Sequence, residues 1–447
     1  MITLQEGVHG APRPDDWQLD KLQQVFRVRR GNKNTGMTED NLLSLSYGRI
    51  IQKDIETADG LLPENFEGYQ IVEPGNIILR LTDLQNDKRS LRQGLVTQRG
   101  IITSAYDEVE VQRDNDPRFW FYSLLALDLA KHYYSLGGGV RQSVKFVDFP
   151  NDWVYRPDLA TQRRIADFLD RETARIDLLI EKKQRFIEAL AEKRFAQTSS
   201  LVTGELFRSE AQQECAIPWI PSIPKNWKHS RMKNVCERII DCKNRTPDEV
   251  EGGDYFVVRT SCVRKGKFVH DGGYFTDESS YREWTQRGKP QKNDVIFTRE
   301  APVGEACIAP EHMKFCLGQR TMIYRPDPAQ ILPEYIIATV YSSIGKSYIG
   351  EKGKGSTVGH LRVPEVYNFP CLLPPIETQK TVLDELDRRT GHFEDLERAT
   401  HASIDRLKEY RSTLITAAVT GQIDVENHTR RGTSKRRLDA IQGEVPQ

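Results

Sequence analysis

The sequence predicts an α+β chain: two mixed α/β modules joined by two long helices that form an antiparallel coiled coil, arranged as a pseudo-two-fold internal repeat. Three observations predict it. A stretch of nearly fifty residues occurs twice without a gap, 217 positions apart. Both copies carry coiled-coil periodicity. The material before each copy mixes short β-rich runs with helical runs and shares landmarks in the same order.

The repeat is read from three blocks. Pro157-Asp-Leu-Ala-Thr-Gln162 answers to Pro374-Pro-Ile-Glu-Thr-Gln379. Phe168-Leu-Asp-Arg-Glu-Thr173 answers to Glu385-Leu-Asp-Arg-Arg-Thr390, and Val202-Thr-Gly204 to Val419-Thr-Gly421. Upstream, Pro14-Asp-Asp-Trp17 resembles Pro224-Lys-Asn-Trp227. Gly75-Asn-Ile-Ile-Leu79 resembles Asn293-Asp-Val-Ile-Phe297, and Pro117-Arg-Phe-Trp-Phe121 resembles Pro333-Glu-Tyr-Ile-Ile337. A Gly-rich loop follows in each half, Gly137–Gly139 and Gly353–Gly355. The expected boundaries are 1–155 for the first module, 156–207 for the first long helix, 208–373 for the second module and 374–426 for the second helix, followed by a tail at 427–447.

From Leu159 to about Ser199 the chain has no Pro or Gly and is rich in Ala, Leu, Glu, Lys, Arg and Gln, the strong helix formers. Ile165, Leu169, Ile176, Leu179, Phe186 and Leu190 recur at steps of three, four and seven. In the second copy Leu386, Phe393, Leu407 and Leu414 share one heptad position, Thr400 fills the slot between, and Leu383 and Ile404 take the companion position. Pro157 and Pro375 suit helix starts, and Gly204 and Gly421 suit C-terminal caps. A helix of about forty residues spans roughly 60 Å and cannot bury its apolar stripe alone. The other copy is its expected partner, running in the opposite direction with one module near each end. Packing of each helix on its own module, or a homodimer, are the alternatives.

The modules carry basic residues around expected loops. In the first these are Arg27, Arg29, Arg30, Lys33, Arg89, Arg92, Arg99 and Arg141. In the second they include Lys243, Arg245, Arg264, Lys265, Lys267, Arg287, Lys289, Lys352 and Lys354. Asn34, Gln98, Gln142, Asn244 and Ser356 lie among them. Such side chains read base edges and hold phosphates. The loop from Gly353 through Ser356 and Thr357 to Gly359-His360 would let its backbone approach a phosphate or a groove. Its order is not that of a nucleotide-binding P-loop.

Lys plus Arg equals Asp plus Glu, 64 against 64, so any DNA-binding charge must be concentrated locally. All seven Cys lie between Cys215 and Cys371 with no Cys-x-x-Cys spacing, which reads as reduced thiols and no zinc site. The N-terminus lacks an apolar signal core and no run approaches 18 apolar residues, so a cytoplasmic protein is expected. A single-chain methyltransferase or nuclease is disfavoured. The only Pro-Pro, Pro374-Pro375, sits at a helix start, and HExxH, GxSxG and Walker A motifs are missing. A coiled-coil scaffold that never touches DNA is the competing class. The tail from Asn427 to Gln447, with Arg430, Arg431, Lys435, Arg436 and Arg437, is expected to be disordered.

Along nearly its whole length the chain resembles the specificity subunits of Type I restriction–modification systems. The resemblance rests on Asn293-Asp-Val-Ile-Phe-Thr-Arg299 with Gly304, Gly355-Ser-Thr357 with Leu361, Leu373-Pro-Pro-Ile-Glu-Thr-Gln379 leading into Leu386-Asp387, and Val419-Thr-Gly421. Where the family usually has Glu-Gln at each helix start, this chain has Thr161-Gln162 and Thr378-Gln379. The resemblance implies that the modules are target recognition domains, each reading half of an asymmetric bipartite duplex DNA site. Arg299, Ser356, Thr357 and His360 complete the expected DNA contacts. The resemblance also implies that the helices are a spacer and a dock for two modification (methyltransferase) subunits, joined by restriction (translocase/nuclease) subunits. The chain would be non-catalytic and bind no cofactor, with S-adenosylmethionine on the modification subunit and ATP and Mg on the restriction subunit.

Overall fold

The computed structural model describes residues 10–55, 65–84, 91–136, 143–353 and 359–443. The chain divides into two compact units. Unit 1 comprises Met1–Gln184 with Ala399–Gln447, and unit 2 is Arg185–Arg398. Each unit thus takes one module together with part of each long helical segment.

In unit 1 the strand Gln18–Lys21 pairs antiparallel with Trp153–Arg156. The single turn Leu22–Val25 follows, and then the strand Phe26–Val28. That strand opens a four-stranded antiparallel sheet, in the order Phe26–Val28, Asp107–Val111, Ile77–Leu79, Gln93–Leu95. The helix Pro117–Leu129 starts well. Pro117 stands at its first position and the Asp116 carboxylate accepts the Arg118 N–H. It is buried nearly all round, with Trp120 edge-on to Phe26 at 5.7 Å.

The long helix Leu159–Val202 enters the same core. Ile165, Leu169 and Ile176 pack there with Leu407, Leu414, Ile415 and Ala418 of the helix Phe393–Val419. Within unit 1 the numbers fall along one helix as they rise along the other. Asp177 binds Arg411 at 3.0 Å. Lys183, held below its usual pKa first by burial, also feels the Arg406 charge.

The tail departs from expectation. Val425–Arg430 and Thr433–Gly443 are helices, and Leu438 and Ile441 are buried in the unit 1 core. The Ser403 hydroxyl donates to the Ile441 carbonyl at 3.2 Å, and Tyr410 donates to Ser434 at 3.1 Å. Ser434, Leu438 and Ile441 follow a four-three step, so one face is apolar beneath the basic one. Burying Leu and Ile contributes about 1.5–3 kcal/mol each, enough to hold a short helix that charge alone would leave loose.

Unit 2 repeats the plan. Lys228–Arg231 pairs with Pro370–Leu373. A turn at Met232–Val235 leads into a four-stranded sheet ordered Cys236–Asp241, Thr321–Pro326, Val295–Arg299, Val303–Ile308. A second sheet places Tyr255–Val258 between Tyr274–Thr276 and, in parallel, Phe315–Leu317. The helix Pro333–Val340 again begins with Pro. Near the helix ends Leu201 and Val202 share a core with Val382, while Arg194 meets Glu394 at 3.3 Å. The two helical segments of this unit therefore also run in opposite directions.

The second helical segment is broken. It forms Ile376–Thr390 and then Phe393–Val419. The break falls at Gly391-His392, where Gly391 N–H still closes on Asp387 at 2.7 Å. Glycine is the poorest helix former after proline, and it sits within the segment expected to be one helix.

The repeated residues do repeated work. Gln162 and Gln379 are buried at the two helix starts. Gln162 Oε1 accepts the Asp116 N–H at 2.9 Å, and its Nε2 donates to the Pro157 carbonyl at 2.9 Å. Gln379 Oε1 accepts the Leu332 N–H at 2.9 Å, and its Nε2 donates to the Pro374 carbonyl at 3.0 Å. Each amide therefore ties its long segment to the turn that starts the module's Pro-initiated helix.

The glycines match as well. Gly204 (φ +90) has Pro224 where a Cβ would lie, at 2.8 Å, and Gly421 (φ +71) has Pro14 there at 2.3 Å. Left-handed backbone and a proline in that space both demand glycine.

Candidate nucleic-acid interface

In unit 2 four segments converge on the end of the strand Val295–Arg299. Arg299 N–H donates to the Arg320 carbonyl at 3.0 Å, and its own carbonyl accepts the Leu361 N–H at 2.9 Å. The next residue, Glu300, bridges to His360. Its carboxylate lies 3.5 Å from Arg320 Nε and 3.5 Å from His360 Nδ1. The following turn is pinned by buried Thr298, whose hydroxyl donates to the Pro302 carbonyl at 2.7 Å and accepts the Glu305 N–H at 3.0 Å.

Gly318 is packed so closely that a Cβ would lie 2.9 Å from the Val258 carbonyl, with Thr246 and Arg259 next in contact. Gln319 N–H then donates to the Thr246 hydroxyl at 3.1 Å. One face thus carries Thr246, Arg259, Arg299, Gln319, Arg320 and His360. Ala301 and Arg320 are left-handed, φ +52 and +74. Such residues cost on the order of 1–3 kcal/mol each and gather at ligand sites.

Arg299 has one further property. Its Nε is buried and has no hydrogen-bond partner among the described residues. A buried donor without an acceptor costs about 1–3 kcal/mol, and a phosphate oxygen or base edge can supply that acceptor. The Arg299 charge also reaches the Cys242 thiol, which burial pushes up.

Lys243 and Arg245 border this face. Both contact Glu283 at 2.7 Å and both stand 5.0 Å from the Trp284 ring. Lys243 first, then Arg245, holds the Glu283 carboxyl below its usual range. Arg264 is exposed on the hairpin Val263–Arg264/Lys267–Phe268. Lys265, at the turn, reaches Glu397 at 2.9 Å, and Lys352 pairs with its neighbour Glu351 at 2.7 Å. Both remain exposed while they make these pairs. Lys354, Ser356 and Thr357 lie outside the described residues.

Unit 1 has Leu81 at the place of Arg299, its carbonyl accepting the Val144 N–H at 2.9 Å, and a polar cluster of its own deeper in the sheet. Arg29 lies 3.4 Å from both Glu108 and Asn76. Asn32 donates to Glu108 and, at 2.8 Å, to the Ile71 carbonyl. The Glu108 side chain is fully shielded, and burial pushes its carboxyl up to about 7. In the sheet Glu108 stands opposite Ile78, where unit 2 sets Ile323 opposite Ile296.

Arg92, expected among the DNA contacts, is only 3% exposed. It donates from Nη1 to the Thr82 carbonyl at 2.8 Å and lies 6.0 Å from the Tyr134 ring. It is a core strut, because its backbone is anchored on Asp128 at 2.9 Å in the module interior. Arg99 is taken by Glu39 and Glu73, at 2.9 and 2.5 Å. Asn34 is buried and caps its own loop through Glu39. Arg30 and Lys33 are exposed. Arg89 and Arg141 lie outside the described residues.

The sequence reading did not single out Arg259, Gln319 and Arg320, which the structure brings to the same strand end as Arg299. The signal available for them was the Gly318-Gln-Arg320 turn just before an apolar strand. Among the described residues, no group of three His, Cys, Asp or Glu is placed to hold a metal ion, and no helix is long and apolar enough to cross a membrane.

Residues 224–406 match the family described as the Type I restriction modification DNA specificity domain. That span contains all of the unit 2 face. More particularly, the chain resembles the specificity subunits of Type I restriction enzymes over nearly all its length. It is 22% identical to the MjaVIII specificity subunit of Methanocaldococcus jannaschii, across 94% of this chain and 96% of that one. It is 18% identical to the EcoBI specificity subunit of Escherichia coli, across 71% and 68%. Among solved structures, a chain from work on complex assembly and conformational transition of the type I R-M system shares the fold. The TM-score is 0.61 at 16% identity, covering 92% of this chain and all of that one.

Proposed function

We propose that this chain is the non-catalytic specificity subunit of a Type I restriction–modification complex and that it reads an asymmetric, split sequence in duplex DNA. The observation that carries this reading is one frame bearing two unlike faces. The sheet order and the helix-start glutamines recur, yet the strand end that carries Arg299 in unit 2, its carbonyl accepting the Leu361 N–H at 2.9 Å, carries Leu81 in unit 1, its carbonyl accepting the Val144 N–H at 2.9 Å. A shared scaffold with different side chains at the reading edge is what two different half-sites require.

Phosphate contacts would set register, and Arg299, Arg320, Gln319 and His360 would discriminate bases in the second half-site. Arg30 and Lys33 would serve the first. The long segments act as an antiparallel coiled coil that fixes the gap between half-sites, and they dock two modification subunits, to which restriction subunits add. DNA bending or base extrusion by those partners fits chemistry on a stacked base.

Methylome sequencing of the host tests the reading. A methylated motif in two unlike halves, lost when the gene is deleted, is expected. Deletion without change in any methylated motif overturns it. Salt-dependent binding of the purified chain to duplex DNA separates a reader from a scaffold.

A further inference from the structure

Unit 1 ends in a basic helical hairpin that has no counterpart in the repeat. After Gly204 the chain passes through a short turn into the strand Gln212–Glu214. After Gly421 it forms the helices Val425–Arg430 and Thr433–Gly443 instead. From Val425 to Gly443 the hairpin carries five Lys and Arg side chains, Arg430, Arg431, Lys435, Arg436 and Arg437, against two acidic ones, Glu426 and Asp439. All five basic residues are exposed. In a chain whose charges balance overall, this is a local concentration of positive charge.

The hairpin is mounted rather than loose. Asp424 caps the first helix by accepting the Glu426 and Asn427 N–H groups at 3.0 and 3.1 Å. His428 meets Ser434 at 3.0 Å and stands edge-on to Phe168 at 5.5 Å. Leu438 and Ile441 are buried, which turns the basic residues of the same helix outward.

The placement of charge has a further consequence. Lys435, Arg436 and Arg437 occupy the opening turn of Thr433–Gly443, the end where the helix dipole already favours anions. Cations there are slightly unfavourable for the helix itself, by a few tenths of a kcal/mol each. Together with the dipole they create a strongly positive edge that fits a run of phosphates.

We infer that the C-terminal hairpin is a third, sequence-independent contact that grips the phosphate backbone of duplex DNA. This rests on the DNA-reading function proposed above and adds a site to it. The hairpin supplies affinity and salt sensitivity, while the module faces supply selectivity.

The test uses the full chain and a random-sequence duplex, with affinity measured across salt concentrations by fluorescence anisotropy. Each phosphate contact adds about 0.9 to the slope of log affinity against log salt. The triple substitution Lys435→Ala, Arg436→Ala, Arg437→Ala is therefore expected to lower the slope by roughly 2 to 3. Arg430→Ala with Arg431→Ala is expected to lower it by a further 1 to 2 or so. Circular dichroism and thermal unfolding should match wild type, because all five side chains are exposed. A variant slope equal to a salt-dependent wild-type slope overturns the hairpin's role and leaves the module reading standing. A wild-type chain with no salt-dependent affinity for duplex DNA overturns both.

Discussion

Replacing Gln379 by Met keeps the side chain's length and removes its polar atoms, which isolates the amide that starts the second helical segment. In the native protein this buried amide accepts the Leu332 N–H at 2.9 Å and donates to the carbonyls of Gln330 and Pro374 at 2.7 and 3.0 Å. Losing it leaves a buried N–H and two buried carbonyls without that partner. A buried donor left unpaired costs about 1–3 kcal/mol, and each net hydrogen bond is worth roughly 1 kcal/mol. A loss of about 2–4 kcal/mol is therefore expected.

With a urea dependence of about 3 kcal/mol per M, the unit 2 midpoint should fall by roughly 1 M, read from far-ultraviolet circular dichroism. Lys380→Ala, one residue on and exposed, should shift it by less than about a tenth of that. Gln379→Glu should be worse than Gln379→Met, since a carboxylate can accept the N–H but faces two carbonyl oxygens it cannot donate to. Gln162→Met should cost unit 1 a similar amount, because its bonds to Asp116, Pro157 and Asn115 span 2.9–3.2 Å. A Gln379→Met protein within about 0.5 kcal/mol of wild type, or a milder Gln379→Glu, would refute the clamp.

Other outcomes follow from the same structure. Glu108, raised from 4.5 to about 7 by burial, binds a proton more tightly folded than unfolded. Its contribution is complete below the unfolded pKa and is lost as pH rises through about 7, an effect on the order of 3 kcal/mol at most. Glu108→Gln should flatten the fall in unit 1 stability between pH 5 and 8, measured by urea titration; parallel profiles for the two proteins count against a buried carboxyl. Gly421→Ala should destabilise by more than about 2 kcal/mol, since a Cβ would lie 2.3 Å from Pro14. Gly432→Ala, also left-handed at φ +59 but facing open space, should cost about 1 kcal/mol, and differential scanning calorimetry orders the two. Four residues inserted into both long helical segments lengthen each by about 6 Å, close to two base pairs, so the methylated motif should keep its halves and widen its gap; an unchanged gap ends the spacer idea.

The frame was legible because duplication leaves a fixed offset: Gln162 and Gln379, Gly204 and Gly421 could be paired before any fold was known. Periodicity also gave the long helices, since Ile165, Leu169 and Ile176 step along one face. Two features escaped because a stronger pattern masked them. Charge in the tail outweighed the Ser434, Leu438, Ile441 stripe, and heptad spacing across Phe393 hid the break at Gly391.

On the candidate face Arg299 stood out from its own run. Arg259, Gln319 and Arg320 did not, because strand pairing brings them to Arg299 and residue type does not reveal pairing. Arg92 was misplaced for the converse reason: an arginine reads as surface until a carboxylate such as Asp128 draws its backbone into the interior.

The division of the chain also bears on how the protein is made. Unit 2 is one continuous stretch, Arg185–Arg398, whereas unit 1 needs Met1–Gln184 and Ala399–Gln447 together. On the ribosome, unit 2 can condense as it emerges. The first module must wait for Leu407, Leu414 and the Gly421 turn that seats on Pro14. At about 5–20 residues per second that delay lasts on the order of ten seconds to a minute. Throughout it Ile165, Leu169 and Ile176 lack the partners that bury them. The nascent first half is thus the stage most exposed to proteases and to chaperone capture, although it is synthesised first.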